Sequence, residues 1–79
     1  MQELSSLISI NTDIRFGKPC ITGTRISVGD ILGWLSTGMS TEEIIEDYPE
    51  LQEVHILAAL DFAATRDKIT KIFIHEAVA

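Results

Sequence analysis

The spacing of apolar residues changes from a two-residue to a three-to-four-residue rhythm near position 28, and that change divides the chain. Residues 7–10, Leu-Ile-Ser-Ile, and residues 20–28, Cys-Ile-Thr-Gly-Thr-Arg-Ile-Ser-Val, alternate as half-buried strands do. Asn11-Thr12-Asp13 and Gly17-Lys18-Pro19 lie between them and favour turns. Two short strands are therefore expected near the N-terminus.

Helix signals follow at once. Ser27 with Asp30 three positions later is a capping-box pattern, and Ile26 with Ile31 supplies a hydrophobic staple around it. Val28, Ile31, Leu32 and Leu35 fall on one helical face, and Gly38 is placed to end that helix in a left-handed conformation. The grammar repeats with Ser40 and Glu43 as a second capping box and Met39 with Ile44 as a second staple. This second helix, about Thr41 to Asp47, is cut short by Pro49. A third is expected from about Gln52 to Arg66, with Ile56, Leu57, Leu60, Ala63 and Ala64 inward. Residues 69–78 carry Ile69, Ile72, Phe73, Ile74 and Val78, too apolar for a solvated tail, and are expected to be extended.

The expected architecture is one mainly α domain over residues 1–79, with no internal repeat or linker. Its parts are a β-hairpin region at 1–26, a three-helix core at 27–66 and a C-terminal segment at 67–79. A short middle helix joined by a tight turn to the last one matches a helix-turn-helix arrangement.

Size and charge narrow the function. A chain of 79 residues buries only roughly 60–65% of its unfolded surface, so dimerisation is the default expectation. The single cysteine, Cys20, cannot form an internal disulfide, and no signal peptide or apolar run of ~20 residues is present. A cytoplasmic setting with no membrane contact is expected. The net charge of −6 comes entirely from residues 41–79, where nine acids face Arg66, Lys68 and Lys71. In residues 1–40, Glu3, Asp13 and Asp30 balance Arg15, Lys18 and Arg25. Nucleic-acid binders draw much of their affinity from basic surface, which this chain barely has. An acidic half suits a basic protein partner better.

A string of motifs in fixed order adds to this reading. Gly17-Lys18-Pro19 precedes Gly23-Thr24-Arg25-Ile26, and Gly38 and Ser40 follow the first helix. Glu42-Glu43-Ile44 leads to Asp47-Tyr48-Pro49-x-Leu51, then to Ala58-Ala59-Leu60 and Phe62-Ala63. This order, from about Ile8 to Ala64, resembles the domain-of-unknown-function family numbered 433, related to VapB-type antitoxins. The resemblance implies a homeodomain-like helix-turn-helix fold with an N-terminal β-hairpin, usually dimeric. It also implies an antitoxin role: neutralising a PIN-like ribonuclease toxin, with binding to the chain's own operator DNA. Thr22 departs from the family pattern, which usually has arginine before Gly23, and Gln52 stands where threonine, a better N-cap, is usual.

Candidate nucleic-acid contacts are Lys18, Thr24, Arg25, Gln52 and His55. Arg25 has a second reading, in which its planar fork of donors ties a turn to a nearby carboxylate or carbonyl; Gly23 and Thr24 beside it favour that reading. Gln52, Glu53 and His55 open the third helix, where a recognition helix would meet base edges, but Glu53 there repels phosphate. Candidate partner contacts are Trp34, as an interface anchor or a marginal core residue, and Arg66, Lys71, Ile72, Phe73 and Ile74 in the terminal segment. That segment either completes the domain's own core or adds to a partner. Tyr48 and Pro49 are assigned to packing at the turn between helices. His55 and His75 are far apart in sequence, and no Cys or His spacing suits zinc. No phosphate-binding glycine loop is present. The expectation is a binding protein, with no cofactor, metal or catalysis, that masks a PIN-like toxin. The alternative is a stand-alone helix-turn-helix DNA-binding regulator of transcription.

Overall fold

The computed structural model describes residues 4–78, with side chains over residues 4–65. In chain order it places β1 (Ile8–Ser9), β2 (Cys20–Ile21), α1 (Val28–Ser36), α2 (Thr41–Asp47) and α3 (Glu53–Val78), with 3₁₀ turns at Leu4–Leu7 and Arg15–Gly17. The strands pair antiparallel, Ile8 opposite Ile21 and Ser9 opposite Cys20. The second strand is much shorter than alternation predicts, because Thr24 folds the chain back on itself. Its N–H and hydroxyl both donate to the Ile21 carbonyl, at 3.0 and 2.9 Å, and its hydroxyl oxygen accepts the Ile26 N–H at 3.0 Å. The returning chain meets the sheet again only at a single bridge between Cys20 and Ser27.

Both capping boxes form. At α1 the Ser27 hydroxyl accepts from the Asp30 N–H at 2.9 Å, while the Asp30 carboxylate accepts from the Ser27 N–H at 3.0 Å. At α2 Ser40 and Glu43 make the same exchange at 3.2 and 3.0 Å. The bonds from Ser40 hold the Glu43 carboxyl below the usual carboxylate range. These boxes satisfy helix-start donors that would otherwise need water. Gly38, at φ +97°, ends α1 in the left-handed region.

Two expectations for the third helix are overturned. It does not stop near Arg66: α3 is helical to Val78, so the segment expected to be extended is the second half of this helix. The physical reason is the absence of any glycine or proline after Pro49. Nor do Leu57, Leu60 and Ala64 point inward. Leu57 and Leu60 are 48% and 44% exposed and Ala64 is exposed, while Ile56, Ala58 and Ala59 are buried. Apolar residues fall on more than one side of the described part of the helix, so counting them does not reveal the inner face. Small alanines face the body and let the helices approach closely.

The core gathers buried residues from successive elements: Ile21, Val28, Ile31, Ile44, Leu51, Ile56 and Ala59. Leu32, Leu35, Trp34, Met39, Tyr48 and Phe62 pack around it, half-buried. The 3₁₀ turn Leu4–Leu7 lies against α3, and its Leu7 carbonyl accepts from the Thr22 N–H at 2.8 Å. The open end of the hairpin is thereby held against α3.

Candidate functional site

The hairpin connection is where local backbone and long-range chemistry meet. Arg15, Phe16 and Gly17 stand at φ of 52°, 59° and 81°, three left-handed residues in succession. Only glycine visits this region freely, so Arg15 and Phe16 carry strain of about 1–2 kcal/mol each. The turn is closed by Ile14 N–H on the Asn11 carbonyl, Gly17 N–H on Ile14 and Lys18 N–H on Arg15, at 2.9, 3.1 and 3.2 Å. It is then clamped from outside. One guanidinium nitrogen of Arg15 donates to the Asp30 carboxylate and to the Arg25 carbonyl, both at 2.9 Å.

Asp30 thus serves two masters, capping α1 and receiving the hairpin. Partial burial disfavours its charge, but the hydrogen bonds from Arg15 and Ser27 prevail and hold the carboxyl below the usual carboxylate range. The bond to Asp30 also raises the Arg15 guanidinium above its ordinary value.

The clamped turn leaves Phe16 99% exposed. An open groove of about 550 Å³ is lined by Lys18 and Pro19 from the hairpin, Val28, Asp30 and Leu32 from α1, and Phe62 and Ala63 from α3. Its lining is mainly apolar, with the Lys18 cation and the Asp30 carboxylate as its charged groups.

The residues singled out in the sequence fall into distinct environments. Lys18 and Arg25 are exposed and form no ion pair among the described residues. The tie considered for Arg25 exists, but Arg15 makes it, and Arg25 contributes only its carbonyl. The Thr24 hydroxyl is occupied inside its own turn. At the start of α3 the His55 Nδ1 accepts the Gln52 N–H at 2.9 Å, so the imidazole supplies the cap that glutamine does not. Trp34 stacks on Tyr48, ring centroids 4.2 Å apart and planes 12° from parallel, at the margin of the core between α1 and the end of α2. Arg66, Lys71, Ile72, Phe73 and Ile74 lie outside the residues whose side chains are described. From the first turn of α2 to the start of α3, Glu42, Glu43, Glu46, Asp47, Glu50 and Glu53 are all exposed.

Sequence reasoning missed Phe16 and the groove. Gly17 announced a turn, yet nothing local marks the two preceding residues as left-handed. Among the described residues no group of three or more His, Cys, Asp or Glu side chains is placed to hold a metal ion. No helix among them is long and apolar enough to cross a membrane.

These elements define a small, mainly helical domain with a two-stranded sheet tied to its first helix by an arginine. The chain belongs to the family described as "Protein of unknown function (DUF433)", which matches residues 8–63. Its fold is similar to that of a DUF433 member protein from Anabaena variabilis ATCC 29413, known from a crystal structure at 2.00 Å resolution. The two are 24% identical with a TM-score of 0.76, over 91% of this chain and 71% of that one. No curated protein matches the chain.

Proposed function

We propose that the chain is the antitoxin-like component of a toxin–antitoxin pair, a cytoplasmic protein that binds and masks a PIN-like ribonuclease. In this reading the helices form a homeodomain-like helix-turn-helix, with α2 and α3 as its two halves. The observation that carries the preference for a protein partner is the α2–α3 corner. Six exposed carboxylates run from the first turn of α2 to the start of α3, where a recognition helix would enter the groove of DNA, and His55 there is occupied by its own helix start. Such a corner repels phosphate and suits a basic protein surface. The second half of α3, with Arg66, Lys71, Ile72, Phe73 and Ile74, is the further segment offered to the toxin. Co-expression with the product of the adjacent gene tests this: a stable complex with suppressed ribonuclease activity is expected. A neighbouring gene product that neither binds nor is inhibited overturns it.

A second reading, a stand-alone DNA-binding regulator, is favoured by Lys18 and Arg25, exposed and outside any ion pair among the described residues. Gel shifts on the chain's own promoter at ~100 mM salt, where phosphate contacts dominate affinity, decide it. Retardation that Lys18→Ala and Arg25→Ala abolish supports this reading, and no retardation dismisses it.

A further inference from the structure

We propose that the groove between α1 and α3 binds a small carboxylate with an apolar body, its head held at the first turn of α1 and its body between the two helices. The site goes beyond the toxin reading and does not rest on it.

The donors come first. In the first turn of α1 the Val28 N–H is spent on the Pro19 carbonyl at 2.9 Å, and those of Ser27 and Asp30 on the capping box. The Gly29 N–H has no acceptor among the described residues. Ser27 is 3% exposed, and its hydroxyl accepts from Asp30 but donates to no described group. Buried polar groups ordinarily use their bonds, so an unspent proton in such a place invites an acceptor from outside. Ser27 and Gly29 both line the groove. A carboxylate seated there receives both donors, at the helix end where the backbone dipole favours negative charge.

Charge selects the same sign. Lys18 also lines the groove, exposed and outside any ion pair among the described residues. The Asp30 carboxylate is already matched by Arg15 at 2.9 Å and accepts the Ser27 N–H as well. The unmatched charge is therefore positive.

Glycine at position 29 keeps the place open. Its φ lies outside the left-handed region, so the backbone does not demand glycine, and alanine is the better helix former. A Cβ here would stand 3.7 Å from the Ser27 hydroxyl oxygen, beside the donor that the carboxylate needs.

The walls set the body of the ligand. Val28 and Leu32, one turn apart on α1, and Phe62 on α3 bound about 550 Å³ of mainly apolar space, within the range of small-molecule pockets. A bare inorganic anion leaves those walls in water, whereas an acyl chain or aromatic ring covers them.

Titration of octanoate into the isotope-labelled full chain, followed by amide chemical shifts, tests the site. Saturable shifts centred on Gly29 and Lys18 are expected, with a dissociation constant of about 0.1–10 mM. Octanol, octylammonium and inorganic phosphate should each bind more weakly, by about threefold or more. Lys18→Ala should weaken octanoate by about threefold, and Gly29→Ala by at least as much, each with the helical circular dichroism unchanged. No saturable shift, equal binding of octylammonium or phosphate, or binding indifferent to both substitutions overturns the proposal. So do shifts centred on the exposed Leu57 and Leu60 in place of Gly29, which would mark a detergent-like association with α3.

Discussion

Arg15 reaches Asp30 across fifteen positions of sequence, at 2.9 Å, and this contact joins the hairpin turn to the first turn of α1. The same carboxylate oxygen accepts the Ser27 N–H, so a helix cap and a tertiary tie share one acceptor. Side-chain exposures of 33% and 30% leave the pair open to screening by salt, and its strength rests on that shared geometry.

A pH dependence follows. The Asp30 carboxyl is held below the usual carboxylate range, so its contribution is complete above the unfolded-state value and is lost as pH falls through the folded one. Asp30→Asn should therefore be less stable than the native chain at neutral pH. The two should converge as the solution is acidified into that window. Urea midpoints at stepped pH measure this, and parallel curves would show that the pair contributes nothing.

Ser27 is 3% exposed, so water cannot replace its capping bond. Ser27→Ala should cost about 1–2 kcal/mol, lowering the melting temperature by roughly 4–8 °C or more in a domain this small. The exposed cap Ser40 should cost less on the same substitution, because water then reaches the freed N–H groups.

The imidazole of His55 should carry its neutral-state proton on Nε2, since Nδ1 accepts from Gln52. Nitrogen chemical shifts report this tautomer directly. His55→Ala should show faster amide exchange at Gln52 than the native chain, because the N–H loses its acceptor.

Phe16→Gly should make the isolated fold more stable, by about 0.5–1 kcal/mol, because glycine accepts the left-handed backbone without strain. Dilute protein, far below any association, is where a denaturant titration should see the gain. A loss of stability there would mean that the ring packs within its own chain.

The legible parts of this fold are those encoded within a few residues. Ser27 with Asp30, Ser40 with Glu43, Gly38 and Pro49 each act through bonds inside one turn, and each sits where its spacing says. The inner face of α3 was not legible, because Leu57 and Leu60 are as apolar as Ile56 and only the surrounding elements decide which is covered. Its length was partly legible in hindsight, since nothing after Pro49 stops a helix. The choice of Arg15 over Arg25 as the clamp depends on how two distant segments meet, and neither side chain's neighbours reveal it. Within the hairpin connection, exposed Lys18 could be read from the chain, whereas exposed Phe16 could not, because its exposure follows from a backbone handedness that only Gly17 hinted at.

The reversed handedness at 15–17 also bears on how the molecule withstands digestion. The peptide bond after Arg15 looks like an open invitation to a trypsin-like enzyme, yet such enzymes thread their substrates as stretched strands. Three consecutive residues coiled the other way must first be unwound, and the clamp and the turn's own bonds resist that unwinding. Cleavage after Arg15 thus proceeds only through rare local opening, and the bond outlasts what its accessibility alone would allow.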